Sequence, residues 1–272
     1  MYLIIIYMNK NFLNTCLTIA GSDNSSGAGL QADLKVFTLL GVFGFSAITS
    51  ITVQNSKGVK ESIPVNPELL KKQIETIFED FNVDVVKIGM LQTKENINVL
   101  INLFQKYKPK EIVLDTVIKS SSGKYLLDKD AIDKFKELIK ISSIITPNTE
   151  EAKALVNIDI NSVDDMKKAS EKLLKLGTKA VYLKGGHMKF QNEIIDIFFD
   201  GSKMLEINYK KLPLKENIHG TGCVLSSATA SYLAKGESLE NACLKGRKFL
   251  QNQIKRAIFL GSKYLYMPLT QQ

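Results

Sequence analysis

The chain has 272 residues, 44% of them hydrophobic and 24% charged, with a formal net charge of +8. This size and balance suit a packed α/β protein and exclude a disordered or fibrous one. Lysine carries the charge, since Arg247 and Arg256 are the only arginines, and it is spread without basic runs or interleaved aromatics, which excludes a nucleic-acid surface and leaves a solvated surface with some preference for anionic ligands.

The chain opens on an apolar stretch, Tyr2 to Met8, that is short and has no basic residues ahead of it. It reads as neither a signal peptide nor a membrane span. Met8 offers a second start, so residues 1–14 are expected to be an extension, disordered as far as Met8, ahead of a single domain over 15–272. No later segment is long and apolar enough to cross a bilayer.

Cys16 to Ala20 reads as a buried strand running into a Gly/Ser/Asp loop over 21–29. Leu30, Leu34, Phe37 and Leu40 then recur at helical spacing as far as Gly41. The loop lacks the glycine spacing of a dinucleotide fingerprint and the Gly-Lys-Ser/Thr of a Walker loop. Phe45 to Val53 reads as a strand that delivers Gln54 and Asn55 at its end, and Gly58 to Val65 as a short edge strand. A helix over 67–80 precedes a strand over 83–88. A helix over 94–107 follows, and then a strand over 111–114 that ends in Asp115.

Asp128 to Lys140 is expected to be helical, Ser143 to Ile145 a strand, and Val163 to Leu176 a helix. Ala180 to Leu183 reads as a strand ending in Lys184-Gly185-Gly186-His187. Alternation on either side of Asp200-Gly201 predicts an antiparallel hairpin over 193–209. A glycine turn, Gly220-Thr221-Gly222, then enters a small-residue helix from Cys223 to about Ala234, and a last helical segment runs from Leu239 to Leu260. Strands alternating with helices imply a mostly parallel sheet covered on both faces.

The glycine turn is built to hold an anion, because glycine lets backbone amides approach closely and a helix N-terminus presents unpaired N–H groups. Cys223 stands at that helix start, where a thiolate is favoured. Cys16 and Cys243 read as packing residues. Three widely spaced cysteines with no Cys-x-x-Cys pair argue against disulfides and zinc and for a reducing, cytoplasmic compartment. Asp23, Asp33, Gln54, Lys87, Asp115, Asn148, Glu151, Lys184 and Cys223 all fall near strand ends, where ligands bind in open α/β sheets.

The segments LTIAGSD (17–23), GAGLQADLK (27–35), TVQN (52–55), VKIGML (86–91), VLDTV (113–117), ITPNTEEA (145–152), LKGGH (183–187) and HGTGC (219–223) occur in this order. Together they resemble the hydroxymethylpyrimidine/phosphomethylpyrimidine kinases of thiamine biosynthesis, members of the ribokinase-like superfamily, from about Leu17 to Leu260. The resemblance implies a three-layer ribokinase-like α/β fold with the late hairpin added. The implied activity is ATP-dependent phosphorylation of 4-amino-5-hydroxymethyl-2-methylpyrimidine, then of its monophosphate to the diphosphate. It implies Mg²⁺, ATP as co-substrate, K⁺ as a candidate activator, and a homodimer with no nucleic-acid or membrane partner.

Carried over residue by residue, Gly220, Thr221, Gly222 and Cys223 form the catalytic turn. Cys223 stands where most of the superfamily has an aspartate base, and serves as proton acceptor or as a positional group. Asn148 and Glu151 match the motif that organises Mg²⁺ and phosphate through water. Lys184 and Asp115 serve the nucleotide phosphates, while Gly21, Asp33, Gln54, Met90 and Val117 line the pyrimidine pocket. His187 and His219 read as loop-shaping residues rather than metal ligands. The chain departs from the family after Asp115, where the lysine has moved to Lys119, and at Gly261 to Pro268, which lacks the common glycine-rich, histidine-containing ending. The rival reading is a pyridoxal or pyridoxine kinase of the same superfamily. A vitamin-binding regulator without turnover is a third, disfavoured by the intact set of Cys223, Asn148, Glu151 and Lys184.

Overall fold

The computed structural model describes residues 13–120, 123–186, 188, 193–213 and 217–270. The extension expected up to Met8, and His187, lie outside the described residues.

The order of elements is β1 (Thr15–Asp23), α1 (Gly29–Leu39), β2 (Phe43–Asn55), β3 (Gly58–Pro64), α2 (Pro67–Asp80), β4 (Val85–Ile88), α3 (Lys94–Tyr107) and β5 (Glu111–Leu114). Next come α4 (Ile132–Lys140), β6 (Ile144–Ile145), α5 (Thr149–Val156), α6 (Val163–Leu174), β7 (Ala180–Leu183), β8 (Glu193–Phe199) and β9 (Met204–Lys210). The chain closes with β10 (Ile218–His219), α7 (Thr221–Ala234), α8 (Leu239–Ile254), β11 (Ile258–Phe259) and β12 (Leu265–Tyr266).

The main sheet has nine strands in the order β3-β2-β1-β4-β5-β6-β7-β8-β9. β2, β1, β4, β5, β6 and β7 are parallel, while β3 on one edge pairs antiparallel with β2, and on the other edge β8 pairs antiparallel with both β7 and β9. Successive side chains of a strand point to opposite faces, and the central strands bury both. Leu17, Ile19, Val86, Ile88, Ile112 and Leu114 pack under α2 to α6. Cys16, Val85, Val113, Ile144 and Tyr182 pack under α1, α7 and α8. The expected three-layer α/β architecture is what forms, and among the described residues no helix is long and apolar enough to cross a membrane.

Local chemistry sets most boundaries. Asn66 caps α2 ahead of Pro67, and Thr93 and Ser238 cap α3 and α8. Ser162 and Asp165 form a capping box on α6. Four elements differ from the sequence expectation. β1 runs on to Asp23, through the first residues of the loop expected over 21–29. The helix over 128–140 begins as a 3₁₀ turn at Lys129–Ala131. Gln54 and Asn55 lie inside β2 rather than beyond it. The last helix stops at Ile254, because Ile258, Phe259 and Leu260 bury no apolar stripe and are 47%, 54% and 69% exposed. The backbone there pairs instead with β12, giving a small β10-β12-β11 sheet that the sequence did not announce.

Candidate active site

The loops at the carboxyl ends of the parallel strands line a cavity of about 780 Å³. In sheet order its wall runs from Gly21 near the end of β1 and Gln54 in β2, past Met90 and Asp115, to Asn148 and Lys184, with α7 entering from above. This is the carboxyl-end crevice of an open α/β sheet.

The glycine turn and the ammonium of Lys184 face one another. Gly220 caps α7 at φ +81°, and its own lack of a side chain leaves the first N–H groups of the helix uncapped. A Cβ on Gly222 would lie 3.3 Å from Lys184 Nζ and 3.5 Å from Asp115 Oδ2. Thr221 is half-buried between the two glycines. Lys184 donates to Asp115 Oδ1 at 3.1 Å, as does Thr146 at 3.1 Å, and Ser226 of α7 donates to Oδ2 at 3.3 Å. Burial opposes charge on Asp115, but the Lys184 and Lys87 ammoniums outweigh it and hold the carboxyl below its usual range. The helix terminus and Lys184 together make a cradle for an anion.

Asn148 and Glu151 form a capping box at the start of α5. Asn148 Oδ1 accepts from Glu151 N at 2.9 Å, and Glu151 Oε2 accepts from Asn148 N at 2.8 Å. Thr116 adds a third bond to Oε2 at 3.1 Å. The Asn-x-x-Glu spacing thus has a structural reason of its own. Glu151 nevertheless lines the cavity and is perturbed. Burial pushes its carboxyl up to about 7, with Lys184 opposing and Asp115 reinforcing the rise.

Asp33, expected on the pyrimidine pocket, lies one layer beneath it. It sits on the inner face of α1 with Ala32, Val36 and Phe37, fully enclosed and outside the cavity wall. There it meets Lys87, which the same face of the sheet delivers from β4. Lys87 Nζ lies 2.8 Å from Asp33 Oδ2, Thr18 donates to the same oxygen at 2.6 Å, and Ser227 donates to Oδ1 at 2.5 Å. The pair supports the site from below.

Cys223 also departs from expectation. Burial pushes its thiol up to about 12; Lys87 and the Gly29 backbone pull it down, but Asp33 and Asp115 push with the burial. The helix terminus does not overcome this, and the group is a neutral thiol at pH 7.

Gly21, Met90, Val117 and Gln54 lie together in the cavity wall. Gly21 lies against Met90, since a Cβ there would come within 3.1 Å of Met90 Sδ and of Ser50 Oγ. The backbone N–H of Gln54 donates to Asn24 Oδ1 at 2.9 Å, and its carboxamide has no hydrogen-bond partner among the described residues. In the altered loop, Ile118 is buried and Lys119 lies over the Tyr125 ring at 4.5 Å, beside the cavity.

Sequence reasoning missed Asp196 and Arg247. Asp196 accepts from Gly185 N at 2.8 Å, Tyr182 Oη at 2.9 Å and Arg247 Nε at 2.9 Å, which ties the loop after Lys184 to α8. The available signal was an arginine in a lysine-rich chain, at helical spacing with Cys243 and Leu250, where a charge must be paired. His219 serves the loops as expected, pairing with Asp23 at 2.9 Å, and no acidic, histidine or cysteine cluster among the described residues is arranged for direct metal ligation.

The chain matches the model of the family described as phosphomethylpyrimidine kinase over residues 23–268. It is 40% identical over 247 residues to a hydroxymethylpyrimidine/phosphomethylpyrimidine kinase of Bacillus subtilis (strain 168), covering 90% of this chain and 91% of the relative. Among solved structures, a phosphomethylpyrimidine kinase from Clostridium difficile 630 is 42% identical at a TM-score of 0.78, covering 88% of this chain and 99% of that one. A pyridoxal kinase from Staphylococcus aureus, in complex with ADP, overlays at a TM-score of 0.87 with 30% identity, covering 94% and 93%. On this sequence match, the chain is a kinase and belongs to the phosphomethylpyrimidine kinase family.

Proposed function

We propose that this kinase transfers the γ-phosphoryl group of ATP to the hydroxymethyl oxygen of 4-amino-5-hydroxymethyl-2-methylpyrimidine, and then phosphorylates the monophosphate, in thiamine biosynthesis. The observation that carries the reading is the convergence of Gly222, Lys184 and Asp115 at one point of a cavity whose β1–β2 end presents Gln54 and Met90.

Phosphoryl transfer needs positioning and charge stabilisation more than covalent chemistry. The N–H groups of Thr221, Gly222 and Cys223 and the Lys184 ammonium receive the transferring group and hold the charge spread over its oxygens. Asp115 keeps Lys184 charged and aimed. The neutral Cys223 thiol is a positional group beside the acceptor oxygen, and a loose transition state asks little of a base.

The donor set fits a divalent cation held mainly through phosphate and water. Glu151 is a perturbed, cavity-facing carboxylate whose Oε1 makes no hydrogen bond among the described residues, where it also lacks further acidic partners for direct ligation. Glu151 and Asn148 would hold hydrated Mg²⁺, which supplies charge neutralisation at the β- and γ-phosphates. K⁺ remains a candidate activator, to be tested by its addition. The free cysteines suit a reducing cytoplasm. Exposed Ile51, Val53 and Ile63 on the β2–β3 edge support the expected homodimer, which light scattering checks.

Gln54 decides between the aminopyrimidine and pyridoxal. A carboxamide pairs with an exocyclic amine and an adjacent ring nitrogen, a pattern that pyridoxal lacks. ATP consumption with each vitamin precursor, products resolved by mass, should favour the pyrimidine. Gln54→Met should lower its kcat/KM about 10-fold or more while sparing pyridoxal, from a loss of about 1.5–3 kcal/mol. A wild-type preference for pyridoxal would overturn the substrate reading.

A further inference from the structure

β12 runs beside the strand that feeds the glycine turn. Ile218 and His219 pair in parallel with Leu265 and Tyr266, and Leu265 N–H donates to Asn217 O at 3.1 Å. Tyr264, Leu265, Tyr266 and Met267 are all buried. The terminal segment that departs from the family pattern is therefore packed into the active-site side of the molecule.

What it packs against joins two loops. Asp23 Oδ1 accepts from Ser25 N at 2.8 Å and from Ser25 Oγ at 2.7 Å. Its Oδ2 accepts from Gly27 N at 3.2 Å and Ala28 N at 2.8 Å, so this one carboxylate, at the end of β1, shapes the loop over 24–28. The same Oδ2 lies 2.9 Å from His219 Nε2. A carboxylate only accepts, so Nε2 carries the proton, and the bond ties the loop over 24–28 to the residue just before Gly220.

The imidazole is held from behind by aromatic rings. Its centroid lies 5.4 Å from that of Tyr266, edge-on at 64°, and 6.3 Å from that of Tyr264. The Tyr266 hydroxyl donates to Ser25 Oγ at 3.4 Å. Gly27 has room for no side chain, because a Cβ there would lie 2.6 Å from the Tyr266 ring, and a Cβ on Gly220 would overlap the Gly27 carbonyl oxygen. Loop 24–28, the glycine turn and β12 thus form one packed unit.

We propose that Tyr266 is a positioning residue for phosphoryl transfer: acting through His219 and Asp23, it fixes the glycine turn relative to the loop that lies under the acceptor. This rests on the kinase reading above. In-line transfer requires acceptor oxygen and phosphoryl group to be held to a fraction of an ångström, and a displacement of about 1 Å can cost about 10²-fold in rate. On the same reading the nucleotide seats against Lys184 and the α8 residues that line the cavity, Arg247 and Gln251 among them, so ATP affinity should respond much less.

The test compares Tyr266→Ala, Tyr266→Leu and Tyr266→Phe in the full chain, with Tyr266→Leu filling most of the volume that alanine would leave open. Alanine and leucine variants should lose about 10- to 100-fold in kcat, with KM for ATP within about threefold. Tyr266→Phe keeps the ring edge on His219 and should stay within about threefold of wild type in both. With His187 and His219 the only histidines, imidazole NMR gives a separate readout: the His219 signal should move in Tyr266→Leu while that of His187 stays. Folded alanine and leucine variants that keep wild-type kcat would overturn the proposal, and so would a phenylalanine variant as slow as the leucine one. If the wild-type protein prefers pyridoxal, the substrate reading fails and the Tyr266 ratios are read on pyridoxal. If it phosphorylates neither vitamin, an unmoved His219 signal overturns the proposal and a moved one supports it.

Discussion

Lys87 and Lys184 both rise from parallel strands of one sheet and both meet an aspartate, at 2.8 and 3.1 Å, yet the first pair has no exposed surface, although Lys87 borders the cavity, and the second is open. Lys87 and Asp33 have no exposed side-chain surface, and Thr18 and Ser227 complete the aspartate's hydrogen bonds. The Lys184 side chain is 16% exposed to the cavity and sits under the uncapped start of α7. A buried pair with every lone pair satisfied is a structural fixture whose rupture strands a charge. A pair left open on one side keeps donors for a ligand. The same residue types at the same kind of strand end thus serve different purposes, decided by what else reaches them.

The largest expected effect breaks the Lys87–Asp33 pair. Lys87→Met strands Asp33 and should cost about 3–5 kcal/mol of stability, read as a urea midpoint. Adding Asp33→Asn should recover part of the loss, because no buried charge remains. Lys184→Met should do the reverse, lowering kcat by about 10²–10³-fold while moving the melting temperature by only a few degrees. If either lysine produced the other's phenotype, the distinction between the pairs would collapse.

Glu151 sharpens the comparison through pH. In the free protein its carboxyl holds a proton up to about 7, whereas an unfolded-chain glutamate releases it near 4.5. The folded state therefore binds more protons between these values, so this contribution to stability is complete below about pH 4.5 and fades as pH rises through 7. It amounts to about 3 kcal/mol at most, at about 1.4 kcal/mol per pH unit. Urea midpoints of wild type should fall from pH 5 to 7.5 relative to Glu151→Gln, and saturating Mg²⁺ and ADP should flatten the difference. Equal pH profiles for the two proteins would show that Glu151 is not perturbed.

The smallest effect concerns Cys223, which feels both pairs. As a neutral thiol, it should lose only about 10-fold in kcat on Cys223→Ser, against about 10²–10⁴-fold for a general base. A pH–rate profile showing thiol ionisation near neutrality would restore the base reading.

Most strands and helices, and the line of polar residues at strand ends, were legible in the sequence because period-2 and period-3.6 patterns survive in single segments. The depth of each polar residue was not. Asp33 looks like a loop-proximal ligand residue until α1 is seen to turn it beneath the cavity. The Cys223 thiol looks activated until the burial around it is known. In the sequence the Asn148–Glu151 spacing reads only as a family motif, and the structure shows that it is also a capping box, with the carboxylate facing the cavity. β10, β11 and β12 escaped notice because each is two residues long, too short for any periodicity.

The position of β1 in the interior of the sheet has a further consequence for biosynthesis. One face of β1, β4 and β5 is covered by α7, whose residues from Val224 to Ser231 are all buried, and the Cys16 thiol reaches the Ala230 carbonyl at 3.6 Å. A chain emerging from the ribosome assembles its central strands long before α7 and α8 exist. Until then, an apolar surface built from the earliest strands stays open to other nascent chains. Premature stop codons ahead of Thr221 should therefore yield not weaker enzymes but sticky, chaperone-bound fragments, and variants that slow the docking of α7 should first show themselves as poor soluble yield.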